Sequence, residues 1–321
     1  MEVLRSADEA TDLCALTLGN FDGVHIGHQA VLRTLVRVAD ERGLSSLAMT
    51  FDPHPAAVHR PDHKPQLITG LDEKLARIAA TGVDATLVQP YSLEFADQSA
   101  EEFIEFLARD VGVRAIVVGR DVRFGRGNEG DLATLQNLGQ RHGVETVVAI
   151  DDLGDGEGLS RVSSTHIRSL LLDGNVEDAA RMLGRPHVVT GTVVNGNARG
   201  REMGFPTANI GGDVAGLIPS DGVYAGWVYF ADGRQQPGAI SVGSNPTFDG
   251  DDRRVEVNVV GVEFPDMDVY GEPARVEFIA HIRGQIEFSG MDTLIEQMRD
   301  DVKNVSAVLE AERQKNRVAE H

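Results

Sequence analysis

The stretch LTLGNFDGVHIGHQAVL, Leu16 to Leu32, decides how the first half of the chain is read. The apolar run LCALTL gives way to a polar, glycine-rich segment. GHQAVLRTLVRVADERG follows, with Val31, Leu35 and Val38 on one helical face and Gly43 near its end. Between strand and helix stand His25 and His28, three residues apart and preceded by several glycines. Such a pair reads as metal ligands, as the cap of a helix, or as a grip on phosphate.

Outward from that stretch the same alternation repeats. SLAMTF, DATLVQP, RAIVVG and TVVAI have the character of short strands, whereas DEKLARIAATG, SAEEFIEFLARDVG and the segment around DLATLQNLGQRHG are helical. Ser99 and Glu102 have capping-box spacing. Strand and helix in strict alternation predict right-handed crossovers and a parallel, doubly wound sheet. From about residue 187 the pattern changes. VVTGTVVNG, PTANI, GVYAGWVYF, GAISVG, RRVEVNVVGV and ARVEFIAHI are short, β-branched and split by Gly, Pro and Asp, which predicts antiparallel strands in a barrel. A final helix carries Leu294, Met298, Val302 and Val305 as an apolar stripe. GRPH, Gly184 to His187, is the expected joint. The expected fold is therefore α/β plus all-β, with domains at 1–186 and 187–321.

Composition narrows the function classes. Thirty basic against fifty acidic residues give a formal charge of −20, which repels a nucleic-acid backbone, and no local basic patch offsets it. No apolar run is long enough to span a membrane. The N-terminus lacks a basic segment followed by an apolar core, so no signal peptide is read there. With Cys14 the only cysteine, no intramolecular disulfide can form, and a cytoplasmic enzyme is expected.

In a doubly wound sheet ligands bind beyond the carboxyl ends of the strands, which is where the segment around His25 and His28 falls. Glycines let the backbone approach a ligand, and a helix N-terminus offers free N–H groups and a positive dipole to an anion. Imidazole donors aimed at a phosphoryl oxygen stabilise developing charge by roughly 2.7–4 kcal/mol each. No further Cys or His stands at a plausible ligand spacing for zinc. Neither a Walker A pattern nor a spaced G-x-G-x-x-G is present. Downstream, RVSSTHIR places Arg161 and Arg168 as forked phosphate donors around hydroxyls near a helix start, a pattern that also reads as an ordinary N-cap. In the second half, Thr207 and Asn209 fall on the same side of an extended segment, and their oxygens suit Mg²⁺ bridging nucleotide phosphates. Glu256 shares a strand face with Arg254 and Asn258, while Val255, Val257 and Val259 line the other.

GNFDGVHIGH resembles the motif of the HIGH-type nucleotidyltransferases. Further blocks select among them: MTFDPHPAAV at Met49, VVGRDVRFGRGNEGD at Val117, RVSSTHIRSLLLDGNVEDAARMLGRP at Arg161, GTVVNGNARGREMGFPTANI at Gly191, GVYAG at Gly222 and SVGSNPTF at Ser241. In that order they resemble the bacterial bifunctional riboflavin kinase/FAD synthetase family over nearly the whole chain. The resemblance implies an N-terminal Rossmann-like FMN adenylyltransferase and a C-terminal riboflavin kinase barrel. It implies that Asn20, His25 and His28 hold the ATP phosphates, within a loop that includes Gly19, Phe21 and Gly27. Arg161, Ser163, Ser164, Thr165 and Arg168 close on the triphosphate, and Asp121 shapes the nucleotide or flavin pocket. Phe51 and Phe124 are read as isoalloxazine contacts or as core, and His54 as loop structure or a substrate contact. In the kinase, Gly200 and Gly204 belong to the loop over the phosphates, Thr207 and Asn209 arrange Mg-ATP, and Glu256 takes the proton of the ribityl hydroxyl. The implied ligands are Mg²⁺, ATP, riboflavin, FMN and FAD; no nucleic-acid or membrane partner is expected, and a weak homo-oligomer is possible. The chain departs from the family where Asn195 and Asn258 stand for His, and where DVYG stands for DLYG.

Overall fold

The computed structural model describes residues 1–150, 162–194, 207–247, 250–261, 269–286 and 289–319. The chain divides into two compact units, one formed by 1–66 with 71–163 and the other by 67–70 with 164–321.

The first unit is built on a parallel sheet. Its strands are β1 (Glu2–Leu4), β2 (Cys14–Leu18), β3 (Ser45–Asp52), β4 (Ala85–Pro90), β5 (Val113–Gly119) and β6 (Thr146–Ile150), in the order β1-β4-β3-β2-β5-β6. Its helices are α1 (Ile26–Arg42), α2 (Pro55–His59), α3 (Leu71–Ala79), α4 (Leu93–Ala96), α5 (Ala100–Arg109) and α6 (Leu132–Arg141). The alternation read from the sequence is thus present, with β1 as an added edge strand too short to register as a pattern. Strands buried on both faces need apolar residues on both faces. Ala15, Ala48 and Val117 pack under Leu32, Leu35, Val38 and Ala39 of α1, whereas Leu16, Met49 and Ile116 face Phe103, Leu107 and Leu135 of α5 and α6. Each buried Leu, Val or Phe contributes about 1.5–3 kcal/mol. Gly43 ends α1 in the left-handed region, and the Ser99/Glu102 capping box opens α5. The chain steps outward from β2 through β3 to β4, then returns to lay β5 on the other side of β2. That reversal places the ligand crevice at the carboxyl end of β2, directly before the His25–His28 segment.

The second unit begins with α7 (Ser164–Leu172) and α8 (Val176–Leu183), followed by a closed antiparallel barrel. The barrel strands are β7 (His187–Val194), β8 (Thr207–Ala215), β9 (Gly222–Phe230), β10 (Gln235–Thr247), β11 (Gly250–Val259) and β12 (Pro273–Arg283), in the order β10-β11-β8-β7-β12-β9. The compact units part at 163/164, earlier than the joint at 187 suggested by the change of periodicity. The reason is local: α7 and α8 have helical patterning, but they dock on the barrel. The His281 N–H donates to Glu177 Oε1 at 3.0 Å and the Ser220 N–H to the Leu171 carbonyl at 3.1 Å.

The last helix, α9 (Met291–Ala319), covers one side of the barrel through Val305 and Leu309 against Ala225, Trp227 and Ala239. Leu294, Met298 and Val302 are only half-buried, and the most buried row runs through Asp301 instead. Asp301 can be buried because Arg283 donates to both its oxygens, at 2.8 and 2.6 Å.

Candidate active sites

The loop from Gly19 to His25 leaves β2 in a conformation side chains resist. Phe21 and Val24 have φ of 48° and 41°, and Gly23 between them has 83°. A left-handed non-glycine residue costs about 1–3 kcal/mol, and for a β-branched valine it is a marked outlier. Strain of this kind collects where backbone geometry serves a ligand. The loop is fixed from below: the Gly19 N–H donates to the Met49 carbonyl at 3.1 Å, and Thr50 Oγ1 donates to the Asn20 carbonyl at 3.2 Å. The Gln29 amide donates to the Val24 carbonyl at 2.9 Å.

His25 is the N-cap of α1, and its Nδ1 accepts the His28 N–H at 3.2 Å. The two imidazoles stack with centroids 3.6 Å apart and an interplanar angle of 17°. Accepting at Nδ1 fixes the proton of a neutral His25 on Nε2. His28 Nδ1 is buried without a hydrogen-bond partner among the described residues. Burial first, then the neighbouring His25 and Lys74, holds the His28 imidazole well below its ordinary pKa, so it is neutral near pH 7. The arrangement is therefore two stacked imidazoles at a helix N-terminus, the His28 ring neutral, which can present N–H donors to an anion. Gly27 is needed here because an added Cβ would lie 3.1 Å from His25 Cε1 and Nδ1. The Phe21 ring is 3% exposed and meets His28 edge-on at 5.3 Å, so this side chain is core beneath the loop.

Beside the loop lies a cleft of about 210 Å³ lined by Asn20, Phe51, Tyr91, Phe95, Arg123 and Phe124 among others. Its rings are mutually packed, Phe51 to Tyr91 at 5.5 Å and Phe51 to Phe95 at 6.2 Å. The two phenylalanines singled out in the sequence thus share one wall system. Tyr91 and Phe95 were not foreseen, since a lone aromatic in a connecting segment has no sequence context to mark it. Asp121 sits exposed in the turn after β5, with Oδ1 3.0 Å from where a Cβ on Gly119 would stand. It does not line the aromatic cleft. His54 caps α2 by accepting the Ala56 N–H at 3.1 Å. Also unforeseen is Lys74, 3% exposed, with Nζ 3.4 Å from Thr50 Oγ1. Its signal was present in the sequence: Lys74 stands four residues before Ile78 on the buried face of α3.

Ser163 ends the first compact unit, and Ser164, Thr165 and Arg168 belong to α7 in the second. Arg161, Gly200 and Gly204 lie outside the described residues. On the barrel, strand register brings the remaining candidates together. Glu256 on β11 is paired with Asn209 on β8 and with Ser241 on β10, and Asn258 is paired with Thr207. Cross-strand partners have their side chains on one face. Val255 and Val257 point into the buried interior, so Thr207, Asn209 and Glu256 form a polar row on the opposite face. Burial pushes the Glu256 carboxyl above the usual range, against the opposing pull of Arg254.

Together these features define a nucleotidyltransferase-like domain, with an anion-binding helix start beside an aromatic cleft, joined to a barrel that carries a carboxylate among hydroxyl and amide oxygens. Known proteins agree. A sequence model for FAD synthetase matches residues 7–166, and one for riboflavin kinase matches residues 183–309. The chain is 34% identical to the bifunctional riboflavin kinase/FMN adenylyltransferase of Listeria monocytogenes, covering 94% of this chain and 95% of that one. It is 37% identical to the protein of the same name from Escherichia coli strain K12, with 90% of each covered. A crystal structure from Streptococcus pneumoniae, described as a macrolide-efflux protein, is 31% identical, superposes with a TM-score of 0.85 and covers 95% of this chain and 99% of its own. Among the described residues no helix is long and apolar enough to cross a membrane. The chain belongs to the bifunctional riboflavin kinase/FMN adenylyltransferase family.

Proposed function

We propose that this chain makes FAD from riboflavin in two ATP-dependent steps, with the residue roles that follow. In the barrel domain Glu256 accepts the proton of the ribityl 5′-hydroxyl as its oxygen attacks the γ-phosphorus of ATP. The bond to the bridging oxygen breaks, and FMN and ADP result. A carboxylate with a raised pKa is a better base near neutral pH than an ordinary one. Thr207 and Asn209, beside Glu256 on the same face, offer hard oxygen donors. Among the described residues no cluster of three or more His, Cys, Asp or Glu could hold a metal by itself. This donor set suits Mg²⁺ carried on nucleotide phosphates and keeping several waters. When bound, the ion neutralises phosphate charge.

In the first domain the FMN phosphate oxygen attacks the α-phosphorus of a second ATP, and pyrophosphate leaves. The Asn20–His28 segment receives the phosphates, and His25 and His28 donate to the oxygens on which charge grows. Ser163, Ser164, Thr165, Arg161 and Arg168 supply further phosphate donors, and the aromatic cleft with Phe51 and Phe124 takes the isoalloxazine ring. The domain limits 1–186 and 187–321 follow the two activities. The reaction is cytoplasmic and needs no nucleic acid.

The observation that carries this reading is the stacked pair of His25 and a neutral His28 on a strained helix start at the sheet's switch point. It is tested by comparing His28→Ala with Glu256→Gln in the full chain. The first should abolish FAD formation from FMN and spare riboflavin phosphorylation, and the second should do the reverse. Loss of both activities by either change, in a folded protein, would refute the two-site assignment.

A further inference from the structure

The buried lysine beside the histidine loop has no part in the roles given above. Lys74 lies on the inward face of α3 with Leu75 and Ile78, a position where an unpaired ammonium is costly. Its Nζ donates to Thr50 Oγ1 at 3.4 Å, and that hydroxyl donates to the Asn20 carbonyl at 3.2 Å. Thr50 is fully buried and Asp22 is 2% exposed. Burial pulls the Lys74 pKa down, while Asp22 in the loop and Asp52 at the end of β3 pull it back up. The lysine is thus the inner end of a chain that terminates on the backbone of the strained loop.

We propose that Lys74 is a positioning residue for adenylyl transfer, its ammonium holding the 19–28 loop in its strained form through Thr50 and balancing the Asp22 and Asp52 carboxylates. Three residues of that loop sit at left-handed φ, so the loop needs anchors on its inner side to stay there. The cation also bears on His28. The titratable groups that bear on this imidazole are His25 at the α1 N-cap and Lys74 on α3, and Lys74 in turn is faced by Asp22 and Asp52. Removing the cation removes one of the charges that hold the His28 pKa down, and the imidazole gains proton affinity.

The inference rests on the FAD-forming role assigned to the first domain. Its test measures FAD formation from FMN and ATP across pH, FMN binding by flavin fluorescence, and riboflavin phosphorylation in the wild-type chain, Lys74→Met, Lys74→Arg and Thr50→Val. Lys74→Met should lower kcat by about tenfold or more and move the acid limb of the profile to higher pH, with FMN binding and riboflavin phosphorylation unchanged. Lys74→Arg should restore the acid limb. Thr50→Val, which removes the anchor and keeps the charge, should lower kcat and leave the acid limb in place, so the idea remains testable if the methionine variant does not fold. An unchanged kcat in Lys74→Met or in Thr50→Val overturns the inference. So does a lowered kcat in Lys74→Met with an unmoved acid limb that arginine does not mend, because that is the behaviour of core filling. A wild-type chain that forms no FAD overturns both this inference and the reading beneath it.

Discussion

Replacing Gly27 by alanine separates stability from activity at a single atom. The new methyl group would lie 3.1 Å from His25 Cε1 and Nδ1, closer than side chains normally tolerate, so the imidazole has to yield by a few tenths of an ångström. His25 then loses alignment with the His28 N–H it accepts at 3.2 Å, and its stacking on His28 opens from 3.6 Å. Loss of a cap costs about 1 kcal/mol. Alanine in place of a helical glycine returns up to about 1 kcal/mol, so the net change in stability is near zero. Catalysis has no such compensation. Removing a single oxyanion donor costs roughly 10²–10³ in rate, and a misplacement near 1 Å costs about 10²-fold, so a partial displacement predicts a loss of about 10- to 100-fold in kcat for FAD formation. The assay is chromatographic, with FMN and ATP as substrates and riboflavin phosphorylation by the same preparation as the control. A variant that keeps more than half of the wild-type rate with an unshifted melting temperature would refute the placement of His25 as a requirement.

Three further outcomes follow from the geometry. Glu256 acts deprotonated and its pKa is raised by burial, so riboflavin phosphorylation should fall on the acid side at a pH above the usual carboxylate range; FAD formation should not share that limb. Arg254 opposes the rise, so Arg254→Ala should move the limb to still higher pH, and a downward move in a pH–rate titration would contradict the electrostatics. Asp301→Ala strips the partner from the partly buried Arg283 and should destabilise the barrel by about 3 kcal/mol in denaturant unfolding, detaching α9 while leaving FAD formation intact.

Much of this architecture was legible because its physics is periodic. The helical faces of α1 and α5, Gly43 as a left-handed stop and the Ser99/Glu102 box are local rules, and each appears in the structure. Thr207, Asn209 and Glu256 were identified separately, and the β8–β11 register now sets them side by side. Long-range pairing was not readable. Asp301 breaks the apolar stripe of α9 because its partner Arg283 lies at the end of β12, and α7 and α8 join the barrel through contacts such as Glu177 with the His281 amide. Lys74 carried a sequence signal, a cation on an apolar face, but its meaning depends on Thr50, Asp22 and Asp52, which no spacing connects. The strain at Phe21 and Val24 is invisible in the letters, since neither residue type advertises positive φ.

The central claim is that one chain carries two separable flavin-nucleotide activities. The direct measurement is a time course of the purified full chain with riboflavin, ATP and Mg²⁺, resolved by chromatography. FMN should rise first and FAD should follow, and added FMN should yield FAD without riboflavin. FMN that accumulates with no FAD, including when FMN itself is supplied, would contradict the assignment of the histidine loop.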